Sequence, residues 1–136
     1  HERSMTHKLE KNKEKLFNGY DVDCEYNKNG LHIKEIPDKN KEIQKIRNSS
    51  RNKDLISVFP DIIIHKRGDE TKNLVVIEVK KDNATKNNKE EIDILKLKAY
   101  TTEDLNYRYG IYINLKNSRE KVVIKKFENG VEVTGD

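Results

Sequence analysis

The sequence predicts an α/β (α+β) fold: a single domain over residues 1–136, a mixed central sheet flanked by helices, in the order α-β-β-β-α-β-β. Three observations lead there. Apolar residues are only 33 % of the chain against 38 % charged, yet they gather into a few short runs. Those runs alternate with period two or stay apolar for the length of a strand, while two other stretches keep helical spacing. At 136 residues the chain can bury one real core and not two.

The elements follow in order. Residues 2–17, ERSMTHKLEKNKEKLF, set Met5, Leu9 and Leu16 on one helical face, with Gly19 as a stop. YDVDCEYN, 20–27, alternates Tyr20, Val22, Cys24 and Tyr26 against Asp21, Asp23, Glu25 and Asn27; this is a half-buried strand ended by the turn NKNG. Residues 37–54 are polar and basic, with a short helix around Lys41–Arg47. Strands over 58–66 and 74–81 are joined by the polar GDETKN. A helix runs from Glu90 to Thr102, with Asn87 or Asn88 as its cap. YRYGIYINL, 107–115, and KVVIKKFE, 121–128, are the last strands, the second closed by an NG turn.

Composition narrows the setting. Net charge is +4, from 28 Lys and Arg against 24 Asp and Glu, and both signs are interspersed. That balance is compatible with a nucleic-acid partner without requiring one. Cys24 is the single cysteine, so no internal disulfide forms and a cytoplasmic, reducing setting is expected. No apolar run approaches the ~20 residues of a membrane span, so no membrane partner is expected. Nucleophilic Ser or Cys triads and phosphate-cradling glycine loops are absent from the sequence.

The chemistry concentrates in FPDIIIHKRGDETKNLVVIEVKKDN, 59–83. Its two apolar runs begin or end on ionisable groups, although burying unmatched charge costs several kcal/mol or more. A hairpin centred near Asp69–Glu70 sets Asp61 opposite Glu78, with Cβ atoms roughly 4.5–5.5 Å apart. Period two then puts Lys80 on the face of Glu78. Two close carboxylates repel unless a cation sits between them, and Mg²⁺ takes oxygen ligands of this kind. A nearby lysine can stabilise developing negative charge. Solvated strand ends and a turn aspartate after Pro60 are the bland alternatives.

With Pro60-Asp61 and Glu78-Val79-Lys80 in hand, the chain resembles the PD-(D/E)XK nuclease superfamily, and its element order resembles the restriction-endonuclease-like core. ERSMTHKL, VDCEYN, PDIIIHKRG, NLVVIEVKK and DILKLKAYT also resemble blocks of small bacterial proteins within that superfamily. The resemblance implies that Asp61 and Glu78 ligate Mg²⁺ (Mn²⁺ substituting), helped by the Val79 carbonyl, and that Lys80 attends the attacking water. It implies a nuclease hydrolysing phosphodiesters, with DNA the expected substrate. Cutting both strands at once needs two sites, which a homodimer would supply. A catalytically silent module that binds nucleic acid or protein, and a core domain with an ion-pair network, are the competing readings.

Further candidates surround this set. Glu2 falls on the inward stripe of Met5 and Leu9; it either favours the helix dipole or, as the resemblance implies, completes the metal site. Lys96 and Tyr100 lie four apart on one helical face, with Asp93 a turn earlier. Lys96 stands where many superfamily members carry Gln in Gln-x-x-x-Tyr, and both are expected at the nucleic acid. Arg51, within the basic segment Lys39, Lys41, Lys45, Arg47, Arg51 and Lys53, is a third contact candidate. His65 shares a strand face with Asp61; His7 and His32 show no metal-ligand spacing with it or with Cys24.

Overall fold

The computed structural model describes residues 19–24, 34–81, 87–102, 105–115 and 122–134. In chain order these form β1 (Asp21–Cys24), β2 (Lys34–Pro37), a 3₁₀ turn at Lys39–Lys41 running into α1 (Glu42–Ile46), β3 (Leu55–Val58) and β4 (Ile62–His65). β5 (Val75–Lys81), α2 (Asn87–Tyr100), β6 (Tyr109–Leu115), β7 (Val122–Glu128) and β8 (Val131–Val133) follow. The fold is mixed α+β. Six strands form one sheet in the order β1-β4-β5-β6-β7-β8, while β2 and β3 pair as a separate antiparallel ribbon. All neighbours in the large sheet are antiparallel except β5 and β6, which are parallel. A parallel pair needs a crossover, and α2 provides it.

The apolar runs sit where burial demands them. All of β4, IIIH, is buried, which is why it reads as a continuous run rather than an alternation. β6 alternates between buried and partly buried positions. Period two sorts the central residues into two clusters. Ile63, Val76, Tyr112 and Phe127 pack with Ile92, Leu97 and Tyr100 of α2, whereas Val22, Cys24, Ile62, Ile64, Ile77 and Val79 form the other cluster. Asp61, Glu78 and Lys80 belong by the same alternation to the α2 side.

Several expected boundaries move. The strand expected over 58–66 is two strands, because Pro60 offers no amide to a ladder and holds Phe59 extended. Leu55–Val58 therefore leaves the main sheet and pairs with Lys34–Pro37, a strand not anticipated, whose Ile36 is wholly buried. The helix expected over Glu90 to Thr102 instead runs Asn87–Tyr100, so neither Asn87 nor Asn88 precedes it. Its end is drawn in by hydroxyls: Thr101 Oγ1 donates to the Leu97 carbonyl at 3.1 Å and Thr102 Oγ1 to that of Ala99 at 2.7 Å. The short helix expected near Lys41–Arg47 is present as α1. Of the strand expected over 20–27 the described part is β1, and the strand expected over 107–115 narrows to β6. The expected helix over 2–17 and residues 25–27 lie outside the described residues. Among the described residues no helix is long and apolar enough to cross a membrane.

The NG signal makes one more strand than anticipated. Asn129 and Gly130 both have positive φ, 54° and 82°, as a tight hairpin of primed type needs, and the chain returns as β8. A Cβ on Gly130 would also come within 2.9 Å of Thr102 Cγ2. Gly130→Ala is expected to cost about 1–2 kcal/mol, read as a lower midpoint in urea at unchanged slope.

Candidate active site

The hairpin of β4 and β5 pairs Ile62 with Ile77, Ile63 with Val76 and Ile64 with Val75. One step beyond that ladder Asp61 faces Glu78, the juxtaposition the sequence predicts. Asp61 sits in the bend before β4, where its Oδ2 accepts the Val79 amide at 2.8 Å. That bond fixes the carboxylate against β5 and gives the Val79 amide an acceptor just beyond the β4–β5 ladder.

Glu78 is buried, with 4 % of its surface exposed. Burial and then the neighbouring Asp61 charge push its carboxyl well above the usual glutamate range. The Tyr100 hydroxyl donates to Glu78 Oε2 at 3.1 Å. Tyr100 itself is fully buried, and burial together with the Glu78 charge pushes its phenol well above the ordinary value, so it stays a neutral donor. Tyr100, expected at the nucleic acid, is thus an interior residue of α2 whose contact is the carboxylate.

Lys80, two residues along the same face, reaches Asp93 Oδ2 of α2 at 3.0 Å. Burial works against its charge, but the Asp93 carboxylate, with Asp61 and Glu78, outweighs it and raises the ammonium above its ordinary value. Lys96, one turn along α2, lies 4.0 Å from the other oxygen of Asp93. A single buried aspartate therefore anchors two lysines beside the carboxylate pair.

Asp61, Glu78, Lys80, Asp93 and Lys96 line a cleft of about 330 Å³ together with Arg47, Ser57 and Phe59. Lys96 is in the cleft, with 14 % of its side chain exposed. Arg51 is exposed and outside the lining; of the basic segment, Arg47 is the member that lines this cleft. His65 is also outside the lining: its Nε2 lies 2.6 Å from Asp23 Oδ2, and Arg67 donates to both Asp23 oxygens. Glu2 lies outside the described residues.

Among the described residues no group of three or more His, Cys, Asp and Glu side chains is arranged to hold a metal ion. The donor set is the pair Asp61 and Glu78. Mg²⁺ commonly takes one or two protein carboxylates and keeps several waters, so the pair fits in kind and number. A cation between them would also relieve the repulsion that holds the Glu78 carboxyl up. No protein family, curated protein or solved structure was found to match this chain.

Proposed function

We propose that this chain is a Mg²⁺-dependent nuclease that hydrolyses phosphodiester bonds, with DNA its favoured substrate. The observation that carries the reading is the meeting of Asp61, a buried Glu78 with a raised carboxyl, and Lys80 in one polar cleft. A divalent ion held by Asp61 and Glu78 would withdraw charge from a scissile phosphate and make a nucleophile of water near neutral pH. The chain's own residues do the rest. The Val79 amide and the Tyr100 hydroxyl aim the two carboxylates. Lys80, held charged by Asp93, stabilises negative charge as it develops on the phosphate. Arg47 and Lys96, both lining the cleft, meet flanking phosphates. A silent binding module has no use for a repelling carboxylate pair kept together at a cost.

The direct test is incubation of the purified protein with plasmid, linear and single-stranded DNA and with RNA. Cleavage is expected with Mg²⁺ or Mn²⁺ and none with EDTA; intact substrate in every metal condition would refute the reading. Neutralising Arg47 or Lys96 is expected to weaken binding across sequences and flatten its salt dependence by about 0.9 per lost duplex contact. An unchanged slope would return these side chains to structural roles.

A further inference from the structure

Phe59 is out of place by composition. It is 48 % exposed, one of the large hydrophobic side chains the fold leaves open, and the aromatic among the residues lining the catalytic cleft. It is also held on both sides. Val58 before it is buried at the end of β3, and Asp61 after it is fixed by the Val79 amide. Pro60 confines Phe59 to extended backbone. The ring is thus kept at the wall of a site whose other members, apart from Ser57, Val58 and Val79, carry ionisable side chains.

We propose that Phe59 stacks on an unpaired base beside the scissile phosphate, so that the substrate of this cleft is a single-stranded segment of nucleic acid. The inference rests on the nuclease reading and adds a substrate class to it. The Cα atoms of Phe59 and Asp61 are two residues apart, at most roughly 7 Å along the chain, so the base reached is one near the phosphate under attack. Arg47 and Lys96 supply the positive charge a backbone needs, and the phenyl ring supplies a platform for any base, since every base has a π-face. Inside a duplex both faces of a base are covered by its neighbours. Such a base reaches the ring only at an end, a flap, a loop or a gap. Stacking does not distinguish deoxyribose from ribose, so single-stranded DNA and RNA share the chemistry and are separate arms of the test.

The chain has no tryptophan, so Phe59→Trp installs a lone fluorescent reporter at the cleft. In EDTA, its emission is expected to be quenched by unstructured DNA or RNA oligomers, the sensitive arm naming the sugar, and left unchanged by a blunt, capped duplex. Phe59→Ala removes a half-exposed ring and empties no core. Its affinity for the quenching oligomer is expected to fall about ten- to a hundredfold, with capped-duplex binding unchanged. Single-strand binding without quenching, equal affinity in Phe59→Ala, or no single-strand binding at all would each overturn the proposal. The nuclease reading fails separately. If Asp61→Asn and Glu78→Gln cleave like the parent, the chemistry is wrong; if they are inactive while Phe59→Ala cuts single strands like the parent, only the stacking is wrong.

Discussion

Glu78→Gln is expected to abolish cleavage, by about 10²–10⁴-fold, while making the metal-free protein more stable. The two effects have one cause. The Glu78 carboxyl is buried beside Asp61 and titrates well above the ordinary 4.5. A glutamate raised in this way contributes stability that is fully present below about 4.5 and is lost as pH rises through its folded value. At neutral pH the wild-type site therefore lacks stability that it has at low pH, a loss that the non-titrating Gln does not suffer, worth about 1–3 kcal/mol by the usual range for single substitutions. Thermal melts in EDTA at pH 5 and pH 8 check this. The variant should gain several degrees at pH 8 and little at pH 5, and Mg²⁺ should raise the wild type more than the variant. Asp61→Ala and Lys80→Ala are likewise expected to lose cleavage while remaining folded; full activity in either would remove that residue from the machinery.

Asp93→Ala should lose cleavage with the opposite sign on stability. Asp93 is 7 % exposed on its side chain and lies 3.0 Å from Lys80 and 4.0 Å from Lys96. Removing it leaves the Lys80 and Lys96 ammonium groups without the carboxylate they share. Breaking a buried pair costs about 3–5 kcal/mol, but Lys80 keeps access to water, so about 1–3 kcal/mol is the expected loss here. That should lower Tm by roughly 5–10 °C. Cleavage should fall because Lys80 loses its anchor, and adding Lys80→Met should recover part of the stability but none of the activity. A thermally neutral Asp93→Ala would mean that the ion pair contributes nothing.

The centre of the site was legible from the sequence because one strong local pattern encodes it. IIIH and LVVIEV are apolar runs joined by a polar turn, and their register follows from the turn's position, which puts Asp61 against Glu78. Its walls were not. Pro60 splits what looks like one strand, and the freed Leu55–Val58 carries Ser57 and Phe59 into place through pairing with Lys34–Pro37. The charges of Lys34 and Glu35 hid that strand, since only Ile36 is fully buried in it. Arg47 rather than Arg51 reaches the cleft because α1 ends at Ile46 beside it, a matter of tertiary placement. On α2, Glu90, Glu91 and Asp93 look alike in sequence, yet Asp93 is the one buried, and the rotation that buries it also turns Tyr100 inward onto Glu78.

The central claim is that Asp61 and Glu78 are a cation site, and a calorimetric titration of Mn²⁺ into the nucleic-acid-free protein tests it most directly. Binding is expected in the wild type and in Lys96→Ala, and its loss, or a fall of at least about tenfold in affinity, in Asp61→Asn and in Glu78→Gln. Equal Mn²⁺ binding by all four proteins, or none by the wild type, would contradict the account.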